Sequence, residues 1–263
     1  MVSKLSLSPF DVPSATLAHF NRVAGSTSGQ DKIFMVYAYA AHLVTAALRS
    51  PRLANKTRLD LAERIEKLRG VISDARVLYR LFGLFPIIQW AQSLNDPATQ
   101  PKDRQLLLIQ RLQAWSMLLY YPLEHTYYLA GKGVFNIKPQ RIGQMAIWSC
   151  RFWAAYVVLQ IFHIRRSFSL LSQEKQSILR STRQRIASGK HDSETSDNEK
   201  KQLKALEQKK LDLKNDCWVQ AGYLPLTAHW SIPGGILPDN VWVGVCGTIA
   251  ATAGLKGLWK KTA

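Results

Sequence analysis

The chain has 263 residues, of which 47% are hydrophobic and 20% charged, a composition that supports a packed core and excludes wholesale disorder. Thirty-five Lys and Arg against eighteen Asp and Glu leave a net charge of +17, which selects anionic partners such as nucleic acid or an acidic lipid surface. Cys150, Cys217 and Cys246 form neither a closed set of disulfides nor a C-x-x-C pair, which argues against a disulfide framework and against a thiolate zinc site.

In chain order, residues 1–28 are expected to be largely irregular. Pro9, Asp11 and Pro13 interrupt any apolar run that a secretory signal would need. Residues 29–142 form a helical region. A first apolar helix runs from Ile33 to Leu48 and stops at Arg49-Ser50-Pro51. A second pattern runs from about Arg58 to Leu84, closed by Pro86. A third runs from Asp103 to Tyr121, where Pro122 is expected to break or kink it. Residues 143–164 are a candidate transmembrane helix. Residues 165–240 read as a basic loop, disordered around Ala187–Glu199, with a short amphipathic helix carrying Leu203, Leu206 and Leu213 and a second loop over Gly222–Pro238. Residues 241–259 are another candidate transmembrane helix, and 260–263 a basic tail. Period-two strands are absent, so the fold class is all-α.

A span needs about 20 mostly apolar residues. Met145–Ile164 has that length, but its eight strongly apolar side chains, worth about −2.4 to −4.8 kcal/mol, are nearly offset by about +2.5 to +3.5 kcal/mol for Arg151. It is a marginal span that needs protein neighbours. Val241–Trp259 is rich in small residues instead. Gly247, Ala250, Ala251, Ala253, Gly254 and Gly257 repeat at small-xxx-small spacing, the pattern that lets membrane helices approach, and are assigned here to self-association. Lys256, Lys260 and Lys261 bias the end of this segment towards the cytosol.

The most informative stretch is Leu61 to Phe82. At about 100° per residue, Leu61, Ile65, Leu68, Ile72, Ala75, Tyr79 and Phe82 share one face, extended by Val71 and Leu78. Arg69, Arg76 and Arg80 line one border, and Glu63, Glu66, Ser73 and Asp74 fill the other side. One reading is the core face of a soluble helix. The other is an interfacial membrane helix, with the apolar face in the acyl boundary and the three arginines on anionic phospholipid.

Several segments together resemble the peroxisomal biogenesis factor 11 (peroxin-11) family. They are Gly29-Gln30-Asp31-Lys32 opening a helix with Tyr39, Ser73-Asp74-Ala75-Arg76 with Arg80, and Tyr120-Tyr121-Pro122-Leu123-Glu124-His125 followed by Gly131 and two late hydrophobic segments. Gln30, Met35, Ala38 and Val77 depart from the family pattern and indicate a divergent, C-type fungal member. The resemblance implies an integral peroxisomal membrane protein with cytosolic termini that elongates the membrane before fission and so controls peroxisome number and size. It also implies homo-oligomers and recruitment of a dynamin-related GTPase through fission adaptors. Lys260-Lys261 resembles a dilysine coatomer signal, with the endoplasmic reticulum membrane as the alternative location, and reads equally as a basic anchor.

No catalytic constellation, cofactor motif or metal site emerges; the six histidines are scattered, and neither a P-loop nor G-x-G-x-x-G occurs. No helix-turn-helix, zinc-finger, RNP or KH signature accompanies the basic charge, so a nucleic-acid partner is not expected. Two rival readings remain: a channel whose polar path uses Arg151 and Gln160, and a soluble helical adaptor.

Overall fold

The computed structural model describes residues 14–52, 55–188 and 193–262. These form eight α-helices and, among the described residues, no strand: α1 (Ala15–Ala24), α2 (Thr27–Leu48), α3 (Lys56–Tyr79), α4 (Leu84–Ser93), α5 (Arg104–Gly131), α6 (Pro139–Ala187), α7 (Ser193–Ser231) and α8 (Asn240–Lys261). The all-α class is therefore observed. The helix starts follow capping chemistry. Ser26, Asn55, Asp103 and Asp239 each accept a backbone N–H of the first turn, at 3.0, 2.9, 2.9 and 2.9 Å.

Consecutive long helices run antiparallel. Along α5 and α6, Asp103 meets Arg166 at 2.6 Å, Gln113 donates to Gln160 at 2.8 Å, and Ser116 donates to the Phe152 carbonyl at 2.5 Å. Along α6 and α7, Arg185 pairs with Glu199 at 2.7 Å and the rings of Trp153 and Trp230 stack at 5.8 Å. Along α7 and α8, Asn215 donates to the Ala253 carbonyl at 2.9 Å and Lys260 pairs with Asp212 at 2.8 Å. It follows that α6 and α8, the two helices apolar enough to cross a membrane, run in the same direction with α7 reversed between them. α2 packs antiparallel on the other side of α8, and the buried core there is Met35, Tyr39, Leu226, Val243, Ala250 and Ala251. α1 lies against the end of α8, where His19 approaches the Trp259 carbonyl at 3.0 Å and Arg22 donates to that of Thr262 at 3.1 Å.

Several sequence-derived boundaries give way. Within the segment expected to be irregular, α1 begins at Ala15 and Ser26 starts α2 early; residues 1–13 lie outside the described residues. The second helical pattern ends at Tyr79 rather than near Leu84, and Pro86 occupies the first turn of α4, where a missing N–H costs nothing. Pro122 sits inside α5 and Pro225 inside α7 without ending either helix. Packing of the flanking residues, buried Tyr120 and Glu124 in one case and Leu226 and Thr227 in the other, outweighs the roughly 3 kcal/mol an interior proline costs. The region 165–240 is accordingly no loop. Its Gln, Lys, Glu and Leu are good helix formers, so α6 continues to Ala187 and α7 starts at Ser193, with 189–192 outside the described residues and, among the described ones, Ser188 and 232–239 non-helical. At 1.5 Å per residue, α6 is about 73 Å long, more than twice a bilayer core.

Candidate membrane-binding surface

α3 lies along α2, and the side that docks is not its apolar stripe. Ala62 is fully buried, and the guanidinium border turns inward with it. Arg76 Nε donates to Asp31 of α2 at 2.8 Å. Arg80 meets Glu124 of α5 at 2.7 Å and Asp31 at 3.7 Å. The Arg80 backbone carbonyl accepts from, or faces, His125 Nε2 at 3.1 Å, and Lys132 closes on Asp74 at 2.5 Å. A Cβ on Gly83 would lie 2.7 Å from the Tyr121 ring, so only glycine lets the turn after α3 press this closely on α5. Burial opposes the charge on Arg80, but Tyr120, Glu124 and Asp31 more than restore it and hold its pKa above the ordinary arginine range.

The apolar stripe is left outside, about a third of a turn around the helix from the docked border. Val71 is 66% exposed, Phe82 in the turn beyond α3 is 72% exposed, and Leu61, Leu68 and Leu78 are each close to half exposed. Phe85 and Ile88 continue the surface onto α4, with the Phe82 and Phe85 rings 6.5 Å apart. Of the seven residues expected on this face, Leu61, Leu68 and Phe82 point out. Ile65, Ile72, Ala75 and Tyr79 are half-buried along its edge, Tyr79 stacked on Phe34 at 5.9 Å.

The arginines require a correction. Rather than three cations waiting for headgroups, each meets a carboxylate: Arg69 bonds Glu66, and Arg76 and Arg80 bond Asp31 and Glu124. An arginine passed over in the sequence, Arg64, is exposed between Leu61 and Leu68 with no carboxylate within 4 Å among the described residues. Its signal was its place within the apolar stripe. The small residues of α8 require a second correction. Gly247 packs on Tyr39, where an added Cβ would stand 2.0 Å from the ring, and Ala250 and Ala251 are sealed against the same chain. Ala253 and Gly257 face Asn215, and Gly254 faces Lys32. This face joins helices of one chain, not two copies. Lys260 is tied to Asp212, and Lys261 lies in the last turn of α8.

Arg151 and Gln160 do not line a common path. Arg151 lies outward, its guanidinium 4.8 Å from the centre of the Trp148 ring, while Gln160 is bonded to Gln113. The segments that carried the family resemblance do converge. Asp31 and Tyr39, Arg76 and Arg80, and Tyr120 and Glu124 all line one cavity of about 570 Å³ between α2, α3, α5, α6 and α7. The sequence signal for these pairs was single charges of opposite sign inside apolar stretches, each of which needs a partner when buried.

The peroxisomal biogenesis factor 11 (PEX11) family model matches residues 17–259, nearly the whole chain. The chain belongs to the PEX11 family. It is therefore a peroxisomal membrane protein involved in peroxisome proliferation, and its two long apolar helices are compatible with that location. It is also similar to an uncharacterized protein, C1F12.04c, of Schizosaccharomyces pombe, at 23% identity over 231 residues covering 88% of each chain. No solved structure matches.

Proposed function

We propose that this PEX11 protein remodels the peroxisomal membrane without catalysing a reaction, by inserting the outward stripe of α3 into lipid. The observation that carries this is the orientation of α3. A helix packed in water turns its leucines in and its arginines out, whereas here the guanidinium border docks and Leu61, Leu68, Val71 and Leu78 face outward. Full burial of a Leu, Val or Phe side chain is worth about 1.5–3 kcal/mol, so even shallow insertion of five such groups exceeds the roughly 1 kcal/mol of one headgroup contact by Arg64. α3 shares the direction of α8 through α2, so the stripe meets acyl chains along the side of the bundle, and the disturbance of lipid packing there favours the curvature that elongates the organelle before a dynamin-related GTPase and its adaptors divide it.

In this reading the central part of α6 and the length of α8 cross the bilayer. Because they run in the same direction, the chain between them must return, and the stretch 217–238 without Lys, Arg, Asp or Glu, the end of α7 with the turn after it, is the returning segment. The far ends of α6 and α7 then share a side with α1 and the end of α8. Lys256, Lys260 and Lys261 support a cytosolic location for that side. Self-association, also part of the proposal, uses outer apolar faces rather than the small residues of α8.

The test is tubulation of acidic liposomes by full-length protein. The wild type tubulates, and Val71→Glu with Phe82→Glu abolishes tubulation without loss of fold. Undiminished tubulation by the folded variant overturns the mechanism.

A further inference from the structure

The cavity behind α3 has no part in lipid insertion, yet its lining is chemically particular. Five charged side chains face it: Asp31, Lys32, Arg76, Arg80 and Glu124. Three cations against two carboxylates leave a formal charge of +1. Both carboxylates are already engaged, Asp31 by Arg76 at 2.8 Å and Glu124 by Arg80 at 2.7 Å and by the Tyr120 hydroxyl at 2.5 Å. The surplus falls on Lys32. No carboxylate lies within 4 Å of its Nζ among the described residues; its neighbour is Tyr223, with the hydroxyl at 3.4 Å and the ring centre at 6.0 Å. Arg76 bonds Asp31 through Nε at 2.8 Å, and its guanidinium also lies beside Tyr39. Tyr127 adds a hydroxyl with no hydrogen-bond partner among the described residues.

Lys32 is half-buried at the edge of this recess with no carboxylate partner, which makes it a natural seat for an anion. The volume, about 570 Å³, lies within the usual range for small-molecule sites. The donors on offer, an ammonium, a guanidinium and a phenol, exceed what the two oxygens of a carboxylate use from one side and suit the spread oxygens of a phosphate. On the far wall Trp153 and Trp230 stack at 5.8 Å and present an apolar surface for the carbon part of a ligand. We propose that this cavity binds a phosphate-bearing ligand, its phosphate held by Lys32 with the Arg76 guanidinium beside it and its carbon part laid against Trp153 and Trp230.

The experiment uses full-length protein in detergent, titrated with inorganic phosphate and with dioctanoyl phosphatidic acid, and read by tryptophan fluorescence and thermal unfolding. The expected result is saturable binding of one ligand per chain, weakened about tenfold by Lys32→Gln and unchanged by Lys201→Gln, which removes the same charge from an exposed position. Lys32 holds no carboxylate, so its replacement leaves no orphaned charge; Tyr127→Phe, which removes one hydroxyl, is the second variant and weakens binding severalfold. Binding of both probes in mutual competition supports the site and shows that the phosphate group suffices. Binding of phosphatidic acid alone supports it and identifies a lipid headgroup as the source. Absence of saturable binding by either probe, or equal losses in Lys32→Gln and Lys201→Gln, overturns the proposal. Val71→Glu keeps the cavity intact and must bind like the wild type, which separates this proposal from the tubulation reading.

Discussion

α3 and the first half of α7 are both amphipathic, both carry Leu and basic residues, and both pack along a neighbouring helix. They are mounted in opposite senses. In α7, Leu206 is 5% exposed and Leu203 and Leu213 lean in beside it, while Lys200, Lys201, Lys204, Lys209 and Lys210 face outward. That is the arrangement water demands. In α3 the leucines face outward and the arginines are drawn into ion pairs with Asp31 and Glu124. The same residue classes at the same spacing thus take two orientations, and what differs is the company each border keeps. α7 meets α6 through the Arg185–Glu199 pair and buries Leu206 beyond it, whereas α3 has the carboxylates of Asp31 on α2 and Glu124 on α5. The comparison sets the first half of α7 apart as a water-facing arm and supports the proposal that α3 meets an apolar medium.

The comparison breaks most completely if the carboxylate anchors are removed. Arg80→Ala or Glu124→Ala leaves its partner charged and buried, so each should lower stability by about 3–5 kcal/mol, measured as thermal unfolding in detergent. The double variant should cost less than the sum of the two. Next in size is Leu206→Ala, which empties a buried site and should cost about 2–5 kcal/mol while leaving liposome tubulation by the surviving folded protein intact. Val71→Glu should do the reverse, changing stability by no more than about 0.5 kcal/mol in detergent and removing tubulation. At the α2–α8 contact, Gly247→Ala should cost about 1–3 kcal/mol, because the added methyl meets the Tyr39 ring.

The smallest expected effect concerns pH. The Arg166 hydrogen bonds, with help from the Leu106 backbone N–H, hold the Asp103 pKa below its ordinary value. A depressed carboxylate contributes stability that is complete above the unfolded aspartate pKa of about 3.9 and is lost as pH falls through the lower folded value. Asp103→Asn should therefore melt earlier than the wild type at neutral pH, and the difference should vanish once the wild-type carboxyl is protonated.

Much of this was legible in the residues. The helix start at Asp103, the apolar stripe from Leu61 to Phe82, and the small-residue face of α8 follow from capping and periodicity, which are local properties. What stayed hidden was the partner of each face. Periodicity places Arg76 and Leu68 on different sides of α3 but does not say which side meets α2; that depends on Asp31, 45 residues away, and Glu124, 44 residues from Arg80. The small residues of α8 announced a close contact, and whether it lay within one chain depended on Tyr39 and Gly222, far off in sequence. Pro122 and Pro225 misled for the same reason, since local propensity is outweighed by packing from distant segments.

The central claim is that α3 turns its apolar row towards lipid. It is tested most directly by a nitroxide at position 71 or 63 of full-length protein in acidic vesicles, with the native cysteines replaced. The account predicts that the label at 71 collides more with lipid-soluble oxygen than with a water-soluble nickel chelate, and that the label at 63, on the charged side of α3, does the opposite. A label at 71 as open to the chelate as the one at 63 would contradict it.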